Sequence, residues 1–241
     1  MALVGNNKGS AFILGIFMFL GLAALGNQIA TGFIHFKEFE RVVSVKGLSE
    51  REVNADIVIW PITFTAAGND LGELYRQVAT NNARIQQFLI DKGLKETDIS
   101  RQPPSVTDKS AQQYGGGPTP EFRYSAQQTL TVYSKEVEKV RGLMNDLAEL
   151  GEGGIAFVGA NYENQVEYTF SSLNDLKPAM IEEATRNARA VAQKFAQDSQ
   201  SGLGKIKRAS QGQFTVEARD RNNPHIMKVR VVSTVEYYLS D

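Results

Sequence analysis

The sequence predicts an α+β protein: one N-terminal transmembrane helix, then a body of antiparallel strand pairs packed with three helices. Three observations carry this. Residues 11–34 hold no formally charged side chain, β-branched runs recur in pairs beyond them, and three stretches between those runs place apolar residues at three-and-four spacing. Paired strands with intervening helices argue for an α+β body rather than a doubly wound parallel sheet.

The opening stretch, Ala11–Phe36, reads AFILGIFMFLGLAALGNQIATGFIHF. Roughly 24 uncharged residues at about 1.5 Å rise give a helix of about 36 Å, longer than the roughly 30 Å hydrocarbon core of a bilayer. Gly15, Gly21 and Gly26 are costly in a soluble helix and common in membrane-spanning ones. Their spacing does not form a Gly-x-x-x-Gly packing face. The alternative is a cleaved signal peptide, with Lys8 ahead of the apolar run and Ala24-Leu25-Gly26 as a small-residue cleavage site. The run continues past that site through Ile29, Phe33 and Ile34, which favours an uncleaved signal-anchor over 11–36. Lys8 lies on one flank, and Lys37, Glu38, Glu40 and Arg41 nearly cancel on the other. This asymmetry places residues 1–10 in the cytoplasm and the body, 37–241, on the exoplasmic side.

Composition narrows the function classes. A body of about 205 residues is long enough for a real core. Absence of cysteine removes disulfides, thiolate metal sites and a cysteine nucleophile. The chain has 26 basic and 27 acidic residues, and only Lys8 precedes the anchor, so the body carries 25 and 27, a net of −2. Nothing in that balance points to nucleic acid. The 42% hydrophobic content belongs to a globular chain rather than a disordered one.

Along the body, Phe39–Val45 reads as a first strand ending at Gly47, with Ser49-Glu50-Arg51-Glu52 as the turn. Val53–Ala66 follows as a long strand with Ile57 and Ile59 on one face and Val58, Trp60, Ile62 and Phe64 on the other. Pro61 donates no ladder hydrogen bond, so a bulge is expected there. Asn69 or Asp70 caps a helix bearing Leu71, Leu74, Tyr75, Val78, Ile85, Phe88 and Leu89, ended by Gly93. A short strand near Ile99 and a loop holding Gly115-Gly116-Gly117 come next. The triplet lacks the strand, helix and lysine of a phosphate cradle. Phe122–Tyr133 alternates cleanly as a strand, and a helix from about Ser134 carries Val137, Val140, Leu143, Met144, Leu147 and Leu150. Ile155–Phe170 reads as a strand, and a helix over 176–200, capped by Asn174 or Asp175, has a stripe of small residues that lets a helix or sheet approach closely. Strands over 206–218 and 225–239 finish the chain.

Several segments carry a family resemblance. Val43-Ser44-Val45-Lys46-Gly47 leads to a long strand with Trp60-Pro61, and Phe122-Arg123-Tyr124 precedes an alternating strand. The alanine-rich run from Glu183 to Ala192 is followed by Gly202-Leu203-Gly204-Lys205-Ile206. In this order the segments resemble the SIMPL domain (DUF541), found in bacterial periplasmic or membrane-anchored proteins, over about residues 40–240. The resemblance implies large ring-like or cage-like homo-oligomers, links to envelope stress and no established enzymatic activity. With the anchor, it implies a single-pass protein of the bacterial inner membrane with its body in the periplasm.

Tested residue by residue, the chain offers no catalytic or cofactor site. His35 and His225, its only histidines, have no metal-ligand spacing, and no Gly-x-Ser-x-Gly elbow occurs. Glu182-Glu183 and Glu50 with Glu52 read as solvated charges. Lys205, Lys207, Arg208, Arg219 and Arg221 form one basic group, suited to lipid headgroups, cell-wall polymer or an acidic partner, or simply exposed strand-end charge. The doubly apolar strand and the small-residue helix supply an expected oligomer interface: Ile57, Val58, Ile59, Trp60, Ile62, Phe64, Ala184, Ala188 and Val191. The expected partners are further copies of the chain and, through residues 11–36, membrane lipid. The expectation is a non-enzymatic scaffold or compartment; the alternative is a monomeric partner- or ligand-binding module of a membrane complex.

Overall fold

The structure, a computed structural model, describes residues 8–38, 41–111, 121–159, 161 and 164–240. The expected glycine loop, 114–120, lies outside the described residues. Helix α1 (Lys8–Glu38) contains a stretch, Phe12–Gly32, that is long and apolar enough to cross a membrane, and none of it is buried by the rest of the chain. By length and composition it fits a single-pass span and equally a signal sequence.

Strand β1 (Val42–Asn54) runs straight through Ser49–Glu52, where a turn was expected. The alternation is unbroken there: Val45, Gly47 and Ser49 are buried while Lys46, Leu48, Glu50 and Glu52 are exposed. The charges that suggested a turn are held in pairs on the exposed face, Glu50 with Lys228 at 2.8 Å and Glu52 with Arg219 at 3.3 Å. The turn comes instead at Ala55–Asp56. Asp56 accepts four hydrogen bonds from the backbone N–H and hydroxyl groups of Ser171 and Ser172, at 2.7–3.0 Å.

Strand β2 (Ile57–Gly68) leads to α2 (Leu71–Asp91), capped by Asp70, whose carboxylate accepts from the Glu73 N–H at 2.7 Å. Short strands β3 (Ile99–Arg101) and β4 (Ser105–Asp108) precede β5 (Tyr124–Ser134). The expected helix after Ser134 is divided at Leu147 into α3 (Val137–Asp146) and α4 (Ala148–Glu152). Of the expected strand over 155–170, the described residues hold two short pieces, β6 (Ala156–Phe157) and β7 (Glu167–Thr169). Helix α5 (Leu173–Asp198) begins ahead of Asn174 and Asp175, so both lie inside its first turn rather than capping it. The expected strand over 206–218 starts at Gly202 and is interrupted, giving β8 (Gly202–Gln211) and β9 (Thr215–Ala218); β10 (Ile226–Ser240) ends the described chain.

One sheet has the order β1-β10-β8, with β9 also on β10; the other has β3-β5-β2-β6, with β4 on β5 and β7 on β2. The chain divides into two compact units. Of the described residues, the first takes those up to Ser49, Ala179–Phe214 and those from Val231 on; the second takes Glu50–Pro178 and Thr215–Arg230. In the second unit, Val58, Trp60, Ile62 and Phe64 of β2 and Leu130 and Val132 of β5 are sealed by Leu74, Val78, Ile85 and Leu89 of α2 and by Val140 of α3. In the first, Ala188 and Ala192 of α5 pack with Val45, Val235 and Tyr237. The close approach expected of the small-residue helix is thus made to the chain's own sheet.

Candidate functional site

The site grows from Pro61. The β2–β5 ladder keeps one register from Val58↔Ser134 to Gly68↔Tyr124, so the bulge expected in β2 is absent. The reason lies in which edge Pro61 faces. The Thr63 carbonyl accepts from the Val158 N–H at 2.8 Å, on the edge away from β5, and the backbone of residue 61 faces the same way. The missing N–H therefore removes nothing from the β2–β5 ladder. On that edge β7 pairs with residues 57–59 and β6 with Phe64 and Thr65, and among the described residues no strand pairs with residues 60–63.

This interruption leaves a notch of about 230 Å³ lined by Trp60, Pro61, Ile62, Thr63, Met144, Leu147, Phe157, Val158, Asn164 and Val166. Among the described residues no charged side chain lines it. Its polar corner is a chain of three groups: Thr129 and Thr63 share a hydroxyl–hydroxyl bond at 2.8 Å, and Thr63 donates to Asn164 Oδ1 at 2.8 Å. Thr63 is 2% exposed and Asn164 9%. Asn164 Nδ2 is buried and donates to no group among the described residues. Such a buried amide end costs on the order of 1–3 kcal/mol, and it shares this state with Asn82 Oδ1, Gln128 Oε1, His225 Nδ1, Ser233 Oγ and Tyr237 OH.

Elsewhere the polar chemistry is structural. His225 is buried, its ring edge-on to Tyr168 with centroids 6.2 Å apart, while its carbonyl accepts from the Ala55 N–H. Burial pushes the Tyr168 hydroxyl above its ordinary pKa, opposed by Arg141. His35 lies in α1. Arg123 grips Asp108 through Nε and Nη2, and with the Ser110 hydroxyl it holds the Asp108 carboxyl well below the usual carboxylate range. No cluster of three or more His, Asp or Glu side chains suited to a metal ion occurs among the described residues.

The residues expected at an oligomer interface are largely committed within the chain. Val58, Trp60, Ile62 and Phe64 are at most 5% exposed in the core of the second unit, Ile57 is also buried, and Ile59 is half-buried. Ala184 and Ala188 are fully buried, and only Val191 is well exposed. Strand β2 is paired along both edges, by β5 on one side and by β6 and β7 on the other, and its face bearing Val58, Trp60, Ile62 and Phe64 is covered by α2 and α3. The basic residues divide between the units. Lys205, Lys207 and Arg208 lie on exposed β8, with Lys207 Nζ 5.6 Å from the Tyr238 ring centroid. Arg219 and Arg221 lie in the turn before β10, where Arg219 is bound to Asp220 at 2.8 Å and to Glu52. Thr63, Thr129 and Asn164 escaped sequence reasoning. Their one signal was a proline in a strand followed, far along the chain, by the asparagine-bearing run Gly159–Asn164 in another.

Fold and site define a class first: an α+β chain with an exposed apolar N-terminal helix and, in its body, a largely apolar notch at a sheet edge. The particular family follows from comparison. The SIMPL family, described as a protein of unknown function (DUF541), matches residues 43–236, and the chain belongs to it. No curated protein matches the chain.

Proposed function

We propose that this is a membrane-anchored envelope protein whose body assembles head to tail into a ring- or cage-like homo-oligomer, acting as a scaffold or compartment rather than an enzyme. The observation that carries this reading is β8. It is a ten-residue strand paired only with β10 among the described residues, and its side chains from Lys205 to Gln211 are exposed on both faces. Such an edge is a template for pairing with another strand. Pairing two β8 strands would oppose Lys205, Lys207 and Arg208 to their own copies, which is repulsive. The opposite edge of the same sheet, β1, carries no such excess of positive charge, since Lys46 and Arg51 are matched in number by Glu50 and Glu52, which pair within the chain with Lys228 and Arg219. A β8-to-β1 contact between copies is heterologous, and heterologous contacts close into rings when the rotation permits. In this reading α1 is the inner-membrane anchor, residues 1–10 are cytoplasmic and the body lies in the periplasm. The link to envelope stress rests on the family resemblance alone.

Mass measurement on the detergent-extracted chain tests the proposal. An oligomer is expected, and the double variant Lys205→Glu, Lys207→Glu is expected to lower its mass to that of the monomer without loss of secondary structure. A wild-type chain that is purely monomeric at micromolar concentration ends the idea. Stoichiometric copurification with one heterologous protein would favour the alternative of a partner-binding module.

A further inference from the structure

Helix α1 carries a polar demand that the rest of the chain does not meet. Its apolar stretch, Phe12–Gly32, has 21 residues, none buried by the rest of the chain, and at about 1.5 Å per residue it matches the roughly 30 Å hydrocarbon core of a bilayer. Three polar side chains interrupt it near one end: Asn27, Gln28 and Thr31. The Thr31 hydroxyl is satisfied within the helix, donating to the Asn27 carbonyl at 2.7 Å. The Asn27 and Gln28 carboxamides have no partner among the described residues. Gln28 is long enough to lean towards the headgroups, but Asn27, about 7 Å inside the end at Gly32, is held on a short side chain in hydrocarbon. An unpaired amide there is costly, and only another helix can supply its partner.

The neighbours of Asn27 show which side of the helix meets that partner. Ile13, Phe17, Leu20, Ala24, Asn27 and Thr31 recur at alternating four- and three-residue spacing, the period of a coiled-coil seam. Ala24 and Thr31, which flank the amide on that side, are small enough to let two backbones approach. The opposite side at the same depth carries Leu22, Leu25 and Ile29, which suit lipid. We infer that α1 pairs in the bilayer with α1 of a second copy along the seam that holds Ala24, Asn27 and Thr31, each Asn27 carboxamide donating to the other's Oδ1. Copies of one chain enter the bilayer in the same direction, so their Asn27 residues lie at one depth, and a carboxamide offers both a donor and an acceptor. A second copy is therefore complementary at this point by construction. The inference rests on α1 being the membrane anchor but not on the β8-to-β1 contact. Polar pairs of this kind are weak, so the contact acts where the helices are parallel and concentrated and does not by itself hold copies together in detergent.

The chain has no cysteine, so single cysteines in the full-length, membrane-embedded protein report which sides of α1 meet. Oxidation with copper-phenanthroline should give a disulfide-linked dimer from Leu20→Cys, Ala24→Cys or Thr31→Cys, and at least about fivefold less from Leu22→Cys, Leu25→Cys or Ile29→Cys. Adding Asn27→Leu should lower the Ala24→Cys yield about three- to tenfold, whereas Asn27→Gln, which keeps the amide, should retain most of it. The same pattern is expected with Lys205→Glu and Lys207→Glu in place. Its loss there would overturn the inference by showing that the body alone brings the helices together. Equal cross-linking from all six positions, none from any, or a yield unchanged by Asn27→Leu overturns it as well. Intact mass checks the anchor separately: cleavage after Gly26 ends the anchor reading and this inference with it, whereas a retained α1 that does not cross-link overturns the inference and leaves the anchor standing.

Discussion

A Cβ built on Gly47 would overlap the carbonyl oxygen of Ala184 and the amide nitrogen of Ala188, and would come within 2.9 Å of the Ala188 Cβ. The atoms it meets are helix backbone, which cannot swing aside as a long side chain would. Gly47→Ala should therefore force α5 away from β1 and destabilise the protein by about 2–4 kcal/mol, read as a fall in the denaturant midpoint. Asp56 works by hydrogen bonding instead. Partial burial acts to raise its pKa, but the bonds from Ser171 and Ser172 outweigh that and leave it below the ordinary value. Asp56→Ala should cost about 1–2 kcal/mol, modest because much of the cluster faces water. The turn before β10 has its own hub, where Arg219, Asn222 and Asn223 bring the Asp220 carboxyl down to about 2. Carboxylates with depressed folded-state pKa values add stability that is complete above the unfolded value of about 4 and is lost as pH falls through the folded one. Thermal midpoints should be insensitive to this group between about pH 5 and 7 and fall below about pH 4, and the Asp220 carboxyl resonance should titrate near pH 2. A titration midpoint near 4 would show that the hub does not hold in solution.

At the scale of elements, the strand pattern was legible wherever alternation was clean. Strand β5 appears with Ala126, Leu130 and Val132 inward as the sequence implies, and Gln128, on the same face, is accommodated by donating to the Gln102 carbonyl at 2.8 Å. The errors have a common cause: a local feature was assigned a local effect. The charges of Ser49–Glu52 suggested a turn, yet their partners Lys228 and Arg219 come from the far end of the chain. Pro61 suggested a distortion of its own strand, yet β2 keeps its register with β5, because the missing donor faces the other edge. Helix α1 is the element whose reading depends least on its neighbours, since none of its apolar span is buried. Deleting residues 1–34 should release a soluble body, measured by partition into the aqueous phase after removal of detergent. If the proposed β8-to-β1 contact builds the oligomer, the released body should keep its size; dissociation would make α1 the assembling element.

For the whole molecule, the sequence by itself determined the class of fold, the apolar N-terminal helix and the alternating faces of its longer strands. Each follows from periodicity or length, which are local quantities that survive without knowledge of contacts. Only the tertiary structure decided which apolar surfaces are left over. Val58, Trp60, Ile62 and Phe64 looked like surplus surface until α2, α3 and β5 closed over them, and the Ala184–Ala188 stripe looked available until Gly47 of β1 met it. The notch is likewise a tertiary product, made where Thr63, Thr129 and Asn164 converge from three distant stretches of chain beside a proline that cannot complete its sheet edge. Burial and hydrogen-bond satisfaction are sums over neighbours brought together by folding. A sequence gives each residue's demand for a partner, and only the folded arrangement decides which demands are met.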